Sequence, residues 1–212
     1  MVIIPDAEAY SSLYTSSLSP LLQEVLDFTM ANHAHAHMIS GKEQGLLLQF
    51  ISSMKRPQKI LEIGTFTGFS GLCLASGLAE NGELHTLELR EDDAATARSY
   101  FGRSPQAQQI FLHTGNALDI IPALDHQWDI VFIDADKAGY IQYYDMVLPS
   151  LRPDGIIIAD NVLFHGEVLK EPLTGKNAKA IAAFNEHVKN DDRTEQVMLT
   201  VRDGLTLIRK RV

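Results

Sequence analysis

The chain has 212 residues, 45% of them hydrophobic, with 18 Lys and Arg against 27 Asp and Glu. That length suits one α/β domain around one core, and a formal charge of −9 argues against nucleic-acid or anionic-membrane partners, which are held by clustered Lys and Arg. A single cysteine, Cys73, excludes an internal disulfide and fits a reducing cytoplasm, and no run of about 18 apolar residues suggests a membrane span.

Met1–Asp6 lacks a basic stretch followed by a long apolar one, so no signal peptide is expected. Residues 6–54 read as mostly helical. Leu18, Leu21, Leu22, Val25, Leu26 and Phe28 form an apolar stripe at helical spacing. Ser40 followed by Glu43 is a capping-box pattern, which predicts a helix starting after Ser40 and carrying Leu46, Leu47, Phe50 and Ile51. From Lys55 the pattern becomes strand–helix alternation. Strands are expected at Gln58–Ile63, Glu83–Glu88, Gln109–Thr114, Asp129–Asp134 and Gly155–Asp160. Helices are expected at Gly68–Leu78, Asp92–Phe101, Tyr140–Leu151 and Lys176–Lys189. The runs Asp-Ile-Val-Phe-Ile-Asp and Gly-Ile-Ile-Ile-Ala-Asp are apolar almost throughout, as strands covered on both faces are. Val197–Val201 and Leu205–Arg209 flank Asp203-Gly204, a hairpin turn signal. Between Leu163 and Gly175 lies a long loop beside the last parallel strand.

These elements predict an α/β fold: a Rossmann-like, doubly wound, seven-stranded and mostly parallel sheet, with a C-terminal antiparallel hairpin and N-terminal helices. Residues 1–212 read as one domain, with 1–54 a helical cap on a core of 55–212.

Ligands of such sheets bind at the carboxyl ends of the strands. The first strand ends in Glu62-Ile63-Gly64-Thr65-Phe66-Thr67-Gly68-Phe69-Ser70-Gly71, where glycines let a ligand approach the backbone. The second ends in Glu88, placed to accept hydrogen bonds from ribose hydroxyls. A nicotinamide-dependent oxidoreductase is one alternative, but its loop needs glycine where Phe66 stands, to admit a pyrophosphate. Ser70 is not in a nucleophile elbow, because Leu72 follows Gly71. The fourth and fifth strands end in Asp134-Ala135-Asp136-Lys137 and Asp160-Asn161. Neighbouring strand ends would bring Asp134, Asp160 and Asn161 together as an all-oxygen set suited to Mg²⁺, Ca²⁺ or Mn²⁺. Intact Asp134, Lys137, Asp160 and Asn161 argue against a further alternative, a non-catalytic cofactor-binding module. His33, His35 and His37 lack a nearby carboxylate or cysteine and are expected near the mouth of the site, His165 in the long loop. Tyr140, Tyr143 and Tyr144 are expected to pack the helix after the fourth strand, and Cys73 and Trp128 to serve the core.

The blocks Leu61–Ser70, Phe132–Lys137 and Asp160–Leu163, with Gly115-Asn116-Ala117 and Asp203-Gly204, resemble the metal-dependent O-methyltransferases that include catechol O-methyltransferase and caffeoyl-CoA O-methyltransferase. The resemblance runs from about Met38 to the C-terminus, and more loosely over the N-terminal helices. It implies an S-adenosylmethionine site in which Gly64, Phe66 and Ser70 line the methionine part and Glu62 also serves cofactor binding. Glu88 would hold the ribose and Ala117 lie against the adenine, with Asp134 and Met38 near the cofactor. It implies Asp134, Asp160 and Asn161 as ligands of a divalent cation, Mg²⁺ first among the candidates, and Lys137 and Asp134 as catalytic residues, Lys137 helping to take the proton of the attacking hydroxyl. Phe66 stands where the family commonly has tyrosine, and Glu195 cannot be aligned with the acidic residue that orients the second hydroxyl in catechol O-methyltransferase. The implied acceptor is a small phenolic molecule with adjacent hydroxyls, and the implied assembly a homodimer.

Overall fold

The computed structural model describes residues 7–211; the reading of Met1–Asp6 lies outside them. Three helices come first: α1 (Ala7–Tyr14), α2 (Pro20–Asn32) and α3 (Lys42–Lys55). Alternation follows through β1 (Lys59–Ile63), α4 (Phe69–Ala75), β2 (Glu83–Glu88), α5 (Glu91–Phe101), β3 (Ile110–Thr114) and α6 (Ala117–Ile120). It continues through β4 (Trp128–Ile133), α7 (Tyr140–Val147), β5 (Leu151–Asp160) and α8 (Lys176–Lys189), and ends with β6 (Thr194–Leu199) and β7 (Leu205–Lys210). The seven strands form one sheet in the order β3-β2-β1-β4-β5-β7-β6, parallel from β3 to β5, with β7 antiparallel to both its neighbours. The chain leaves β1 toward one edge and returns at β4 to build the other, so β1 and β4 flank the topological switch point.

Successive strand residues point to opposite faces, and that alternation makes two cores. Leu61, Ile63, Val131, Ile133 and Ile157 pack with Tyr144 and Val147 of α7 and with Ile181 and Phe184 of α8. Ile60, Ile130, Phe132 and Ile158 pack on the other face with Phe69 and Leu72 of α4, and there Leu22 and Val25 of α2 and Leu48 of α3 join them. Both faces of the central strands are dry, which is why β4 reads as a continuous apolar run. No helix among the described residues is long and apolar enough to cross a membrane.

Three local expectations are corrected. The helix from Tyr140 stops at Val147, and β5 begins at Leu151 rather than Gly155. Leu151 pairs with Trp128 across a register irregularity, so the turn-like Pro153-Asp154-Gly155 is absorbed into an outlying part of the strand. Ser40 does not cap α3; Gly41 holds that position without a side-chain cap. The Ser40 hydroxyl instead accepts from Gln44 Nε2 at 3.3 Å.

Candidate active site at the carboxyl ends of the strands

Gly64, just beyond β1, sits at φ +100°, and a Cβ built there would meet the Asp134 carbonyl oxygen at 2.0 Å. The ends of β1 and β4 therefore touch backbone to backbone, and Asp134 N donates to Ile63 O at 2.9 Å. Phe66 follows in the left-handed region at φ 51°, and its N–H donates to Glu88 Oε2 at 2.7 Å. Arg90 N donates to Glu88 Oε1 at 2.9 Å. Glu88 thus clips the loop after β1 to the turn after β2. The ring of Phe66 meets His33 edge-on at 4.6 Å between centroids and lies under the Arg90 guanidinium. An open cavity of about 370 Å³ is lined by His33, Arg90, Glu91, Asp92 and Asp93 beside this loop. Gly115 N donates to the Glu88 carbonyl at 2.8 Å, which brings Ala117, at the start of α6, to the same end of the sheet.

Beneath the loop, Glu62 is fully buried. The Thr65 hydroxyl meets that of Thr86 at 2.5 Å, and Thr86 donates to Glu62 Oε2 at 2.5 Å. Burial pushes the Glu62 carboxyl up to about 8, with the charges of Asp134 and Glu88 adding to the rise against the pull of the Ser70 and Thr86 hydroxyls. Glu62 Oε1 is buried without a hydrogen-bond partner among the described residues.

Across the switch point, Lys137 Nζ donates to Asp134 Oδ1 at 3.0 Å, to Tyr140 OH at 2.7 Å and to Asn161 Oδ1 at 2.7 Å. All three ammonium protons are thereby used. Tyr140 OH donates in turn to the Asp160 carbonyl at 3.0 Å; burial, then the charges of Asp134 and Asp160, hold its phenol well above the ordinary range, so it stays a donor. Asn161 takes a left-handed φ of 55°, which asparagine tolerates. Its Nδ2 donates to Asp203 Oδ2 at 3.2 Å, and that contact turns the amide oxygen toward Lys137. Asp160 is buried, with Oδ1 accepting from Asn161 N at 2.6 Å and Oδ2 from Gln44 Nε2. Burial, with Asp134's charge behind it, raises the Asp160 carboxyl to about 7.

The donor chemistry fits a hard divalent cation. Asp134 and Asn161 each direct an oxygen at one ammonium, Asp160 adjoins them through the backbone, and no nitrogen or sulfur ligand stands among the three. The loop after β1 fits a cationic small molecule equally well. Beneath it lies the buried Glu62 carboxyl with an oxygen left without a partner, and a cation above it would favour its ionised form.

The remaining expected residues lie around this centre. Met38 is in a 3-10 turn, Ala36–Met38, and is exposed. Ser70 is buried in the first turn of α4. His33 Nε2 pairs with Asp93 Oδ1 at 3.0 Å and its Nδ1 accepts from His35 N at 3.0 Å; His35 and His37 follow as exposed neighbours. His165 stands in the 3-10 segment Phe164–Leu169, where the loop was expected, and its N–H donates to Asp203 Oδ1 at 2.5 Å. Glu195 is on β6, paired with Arg209 of β7, away from the strand ends. Gln44, Tyr140, Asp203 and Asp93 touch the site and were missed from sequence. Tyr140 sits one helical turn after Lys137 and carried a usable signal. The other three reach the site from distant segments.

The chain is similar to known O-methyltransferases. A family model described as O-methyltransferase matches residues 11–211. The probable caffeoyl-CoA O-methyltransferase 1 of Dictyostelium discoideum is 30% identical over 207 residues, covering 95% of this chain and 90% of the relative. The catechol O-methyltransferase of Niastella koreensis is 38% identical over 146 residues, covering 67% of this chain and 66% of the relative. The crystal structure of the O-methyltransferase from Bacillus cereus in complex with SAH superposes with a TM-score of 0.88 at 31% identity, covering 97% of each chain.

Proposed function

The chain belongs to the O-methyltransferase family, and from that premise we propose that it transfers the methyl group of S-adenosylmethionine to one hydroxyl of a small phenolic molecule with adjacent hydroxyls, with the help of a divalent cation. The observation that carries this reading is the convergence of Asp134, Lys137 and Asn161, with Asp160 behind them, at the switch point beside the glycine loop.

Gly64, Phe66 and Ser70 are assigned to the methionine part of the cofactor, with Glu62, Asp134 and Met38 also serving its binding. Glu88 is assigned to its ribose and Ala117 to its adenine. Asp134, Asp160 and Asn161 would hold the cation, for which Mg²⁺ is the first candidate and Ca²⁺ or Mn²⁺ share the donor preference. When bound, a divalent cation favours the ionised form of a coordinated hydroxyl and fixes its position, and the sulfonium of the cofactor supplies the methyl group. The chain does the rest. Lys137 would take the proton from the attacking hydroxyl as the neutral amine, and the ammonium so formed is the state held at the strand end by Asp134, Tyr140 and Asn161. Gln44 and Asn161 N fix the Asp160 carboxylate, and Asp203 fixes the Asn161 amide. Bringing acceptor and methyl donor to one strand end replaces a bimolecular encounter with an aligned one, and effective molarities of about 10⁵ M or more are known for such alignment. The names of the relatives, caffeoyl-CoA and catechol O-methyltransferase, support an acceptor with adjacent oxygens. We assign residues 1–212 to one catalytic unit, with 1–54 as its cap, working as a homodimer in a reducing compartment.

Calorimetric titration with S-adenosylhomocysteine, with NADH in parallel, tests the cofactor assignment. Micromolar binding of the first and none of the second is expected. Binding of NADH alone would refute it.

A further inference from the structure

A second cluster of ionisable side chains lies at the opposite end of the sheet, where β2 begins. Glu83 and His85 are two residues apart on β2 and so share a face. His113 stands on the adjacent β3, and His126 comes from the short stretch leading into β4. His85 Nε2 lies 3.0 Å from Glu83 Oε2, and His85 Nδ1 lies 3.1 Å from His113 Nε2. The rings of His85 and His126 are 4.7 Å apart. Glu83, His85 and His126 each offer a ligand atom within 4.8 Å of the others, and no other group of three His, Cys, Asp or Glu does so among the described residues.

We propose that Glu83, His85 and His126 form a binding site for a zinc-class transition-metal ion, with His113 as the positioning residue for the His85 ring. Two imidazoles and one carboxylate match a three-ligand zinc site with water in the fourth place. The same set is poorly suited to Mg²⁺, which prefers oxygen. A neutral imidazole has one N–H and one lone pair. If the N–H of His85 is at Nδ1, it donates to His113, and the Nε2 lone pair faces the Glu83 carboxylate. In that tautomer the Nε2 lone pair and the carboxylate face each other at 3.0 Å, a spacing that a bound cation would bridge. Metal-bound histidines commonly donate their other N–H to a second acceptor in this way. Zinc bonds of about 2.0–2.1 Å in a tetrahedron set ligand atoms roughly 3.3 Å apart. The Glu83–His85 spacing is already close to that, and the half-buried His126 has to move in by an ångström or so. Lys59 also bonds to Glu83 Oε2; its side chain is a quarter exposed, so it can turn to solvent as the ion enters. A bound ion would tie the stretch before β4 to the edge of β2, and would stabilise the fold by mass action rather than take part in methyl transfer.

The test uses the full chain, stripped of metal and held in excess Mg²⁺ so that an oxygen-only site is occupied. Zn²⁺ is titrated against a chromophoric competing chelator, and the zinc K-edge absorption spectrum of the loaded protein is recorded. The expected result is one tight zinc per chain with imidazole scattering, a rise in Tm on loading, and survival of that site in Asp160→Ala. Binding should weaken at least roughly tenfold in His126→Ala and Glu83→Gln, and by about 10–100-fold in His113→Phe, the loss typical of an outer-shell partner. His126 is partly exposed in a connecting stretch, so its variant is expected to fold, which circular dichroism checks. No zinc uptake at micromolar concentration, or unchanged affinity in His126→Ala and Glu83→Gln, would overturn the proposal.

Discussion

Asp160 is buried, and its carboxylate is braced by Gln44 and Asn161 N. Replacing it with alanine removes a proposed cation ligand without touching the loop after β1. Asp160→Ala should therefore abolish metal-supported turnover while S-adenosylhomocysteine still binds in calorimetry; near-normal activity in chelated buffer would remove the cation role. Lys137→Ala should lower kcat far more than cofactor affinity, since Lys137 contacts Asp134, Tyr140 and Asn161 rather than the loop; an unchanged kcat would remove it as the base. Glu62 makes a pH prediction. Its folded pKa of about 8 exceeds the ordinary 4.5, so the folded chain holds this proton more tightly than the unfolded one. Its contribution to stability is full below about 4.5 and is lost as pH rises through about 8. In the cofactor-free protein, Glu62→Gln should flatten the fall of Tm across that window, and an identical slope in the variant would contradict this. Asp134, Lys137, Asp160 and Asn161 were legible as neighbours because parallel strand ends adjoin by topology. Gln44 and Asp203 were not, because each arrives from a segment far away in sequence, and a polar residue on an amphipathic helix or in a turn looks the same whether it faces solvent or a carboxylate.

The loop after β1 makes its prediction as an element. Gly64 holds a positive φ against the Asp134 carbonyl, whereas Gly175 holds one at +82° with nothing within 4 Å of an added Cβ. A left-handed or strained backbone costs a side chain on the order of 1–3 kcal/mol. Gly175→Ala should lose no more than that. Gly64→Ala adds a collision between strands and should lose clearly more, together with cofactor binding, in parallel thermal melts and titrations. Equal losses would mean that β1 and β4 do not meet so closely in solution. The strands β1 to β5 and the helices α4, α5, α7 and α8 were readable from apolar runs and helical spacing, whereas α6, only four residues long, was not. The end of α7 and the start of β5 were not, since Pro153-Asp154-Gly155 has turn composition while the pairing of Leu151 with Trp128 extends the strand through it. Ser40 was misread for a related reason: its hydroxyl has a second acceptable use, as partner of Gln44.

At the scale of the whole molecule, the order β3-β2-β1-β4-β5-β7-β6 places the glycine loop on one side of the switch point and the acidic strand ends on the other. Methyl donor and hydroxyl acceptor can then meet where β1 and β4 adjoin, and the helices before β1 close over that end through Gln44 and through Thr29, whose hydroxyl donates to Thr67 at 2.8 Å. The most direct measurement is methyl transfer from labelled S-adenosylmethionine to a catechol by metal-stripped protein, with and without added Mg²⁺. The account predicts a mono-O-methylated product with Mg²⁺, none with chelator present, and recovery when Mg²⁺ is restored in excess. Undiminished methylation under chelation would contradict it.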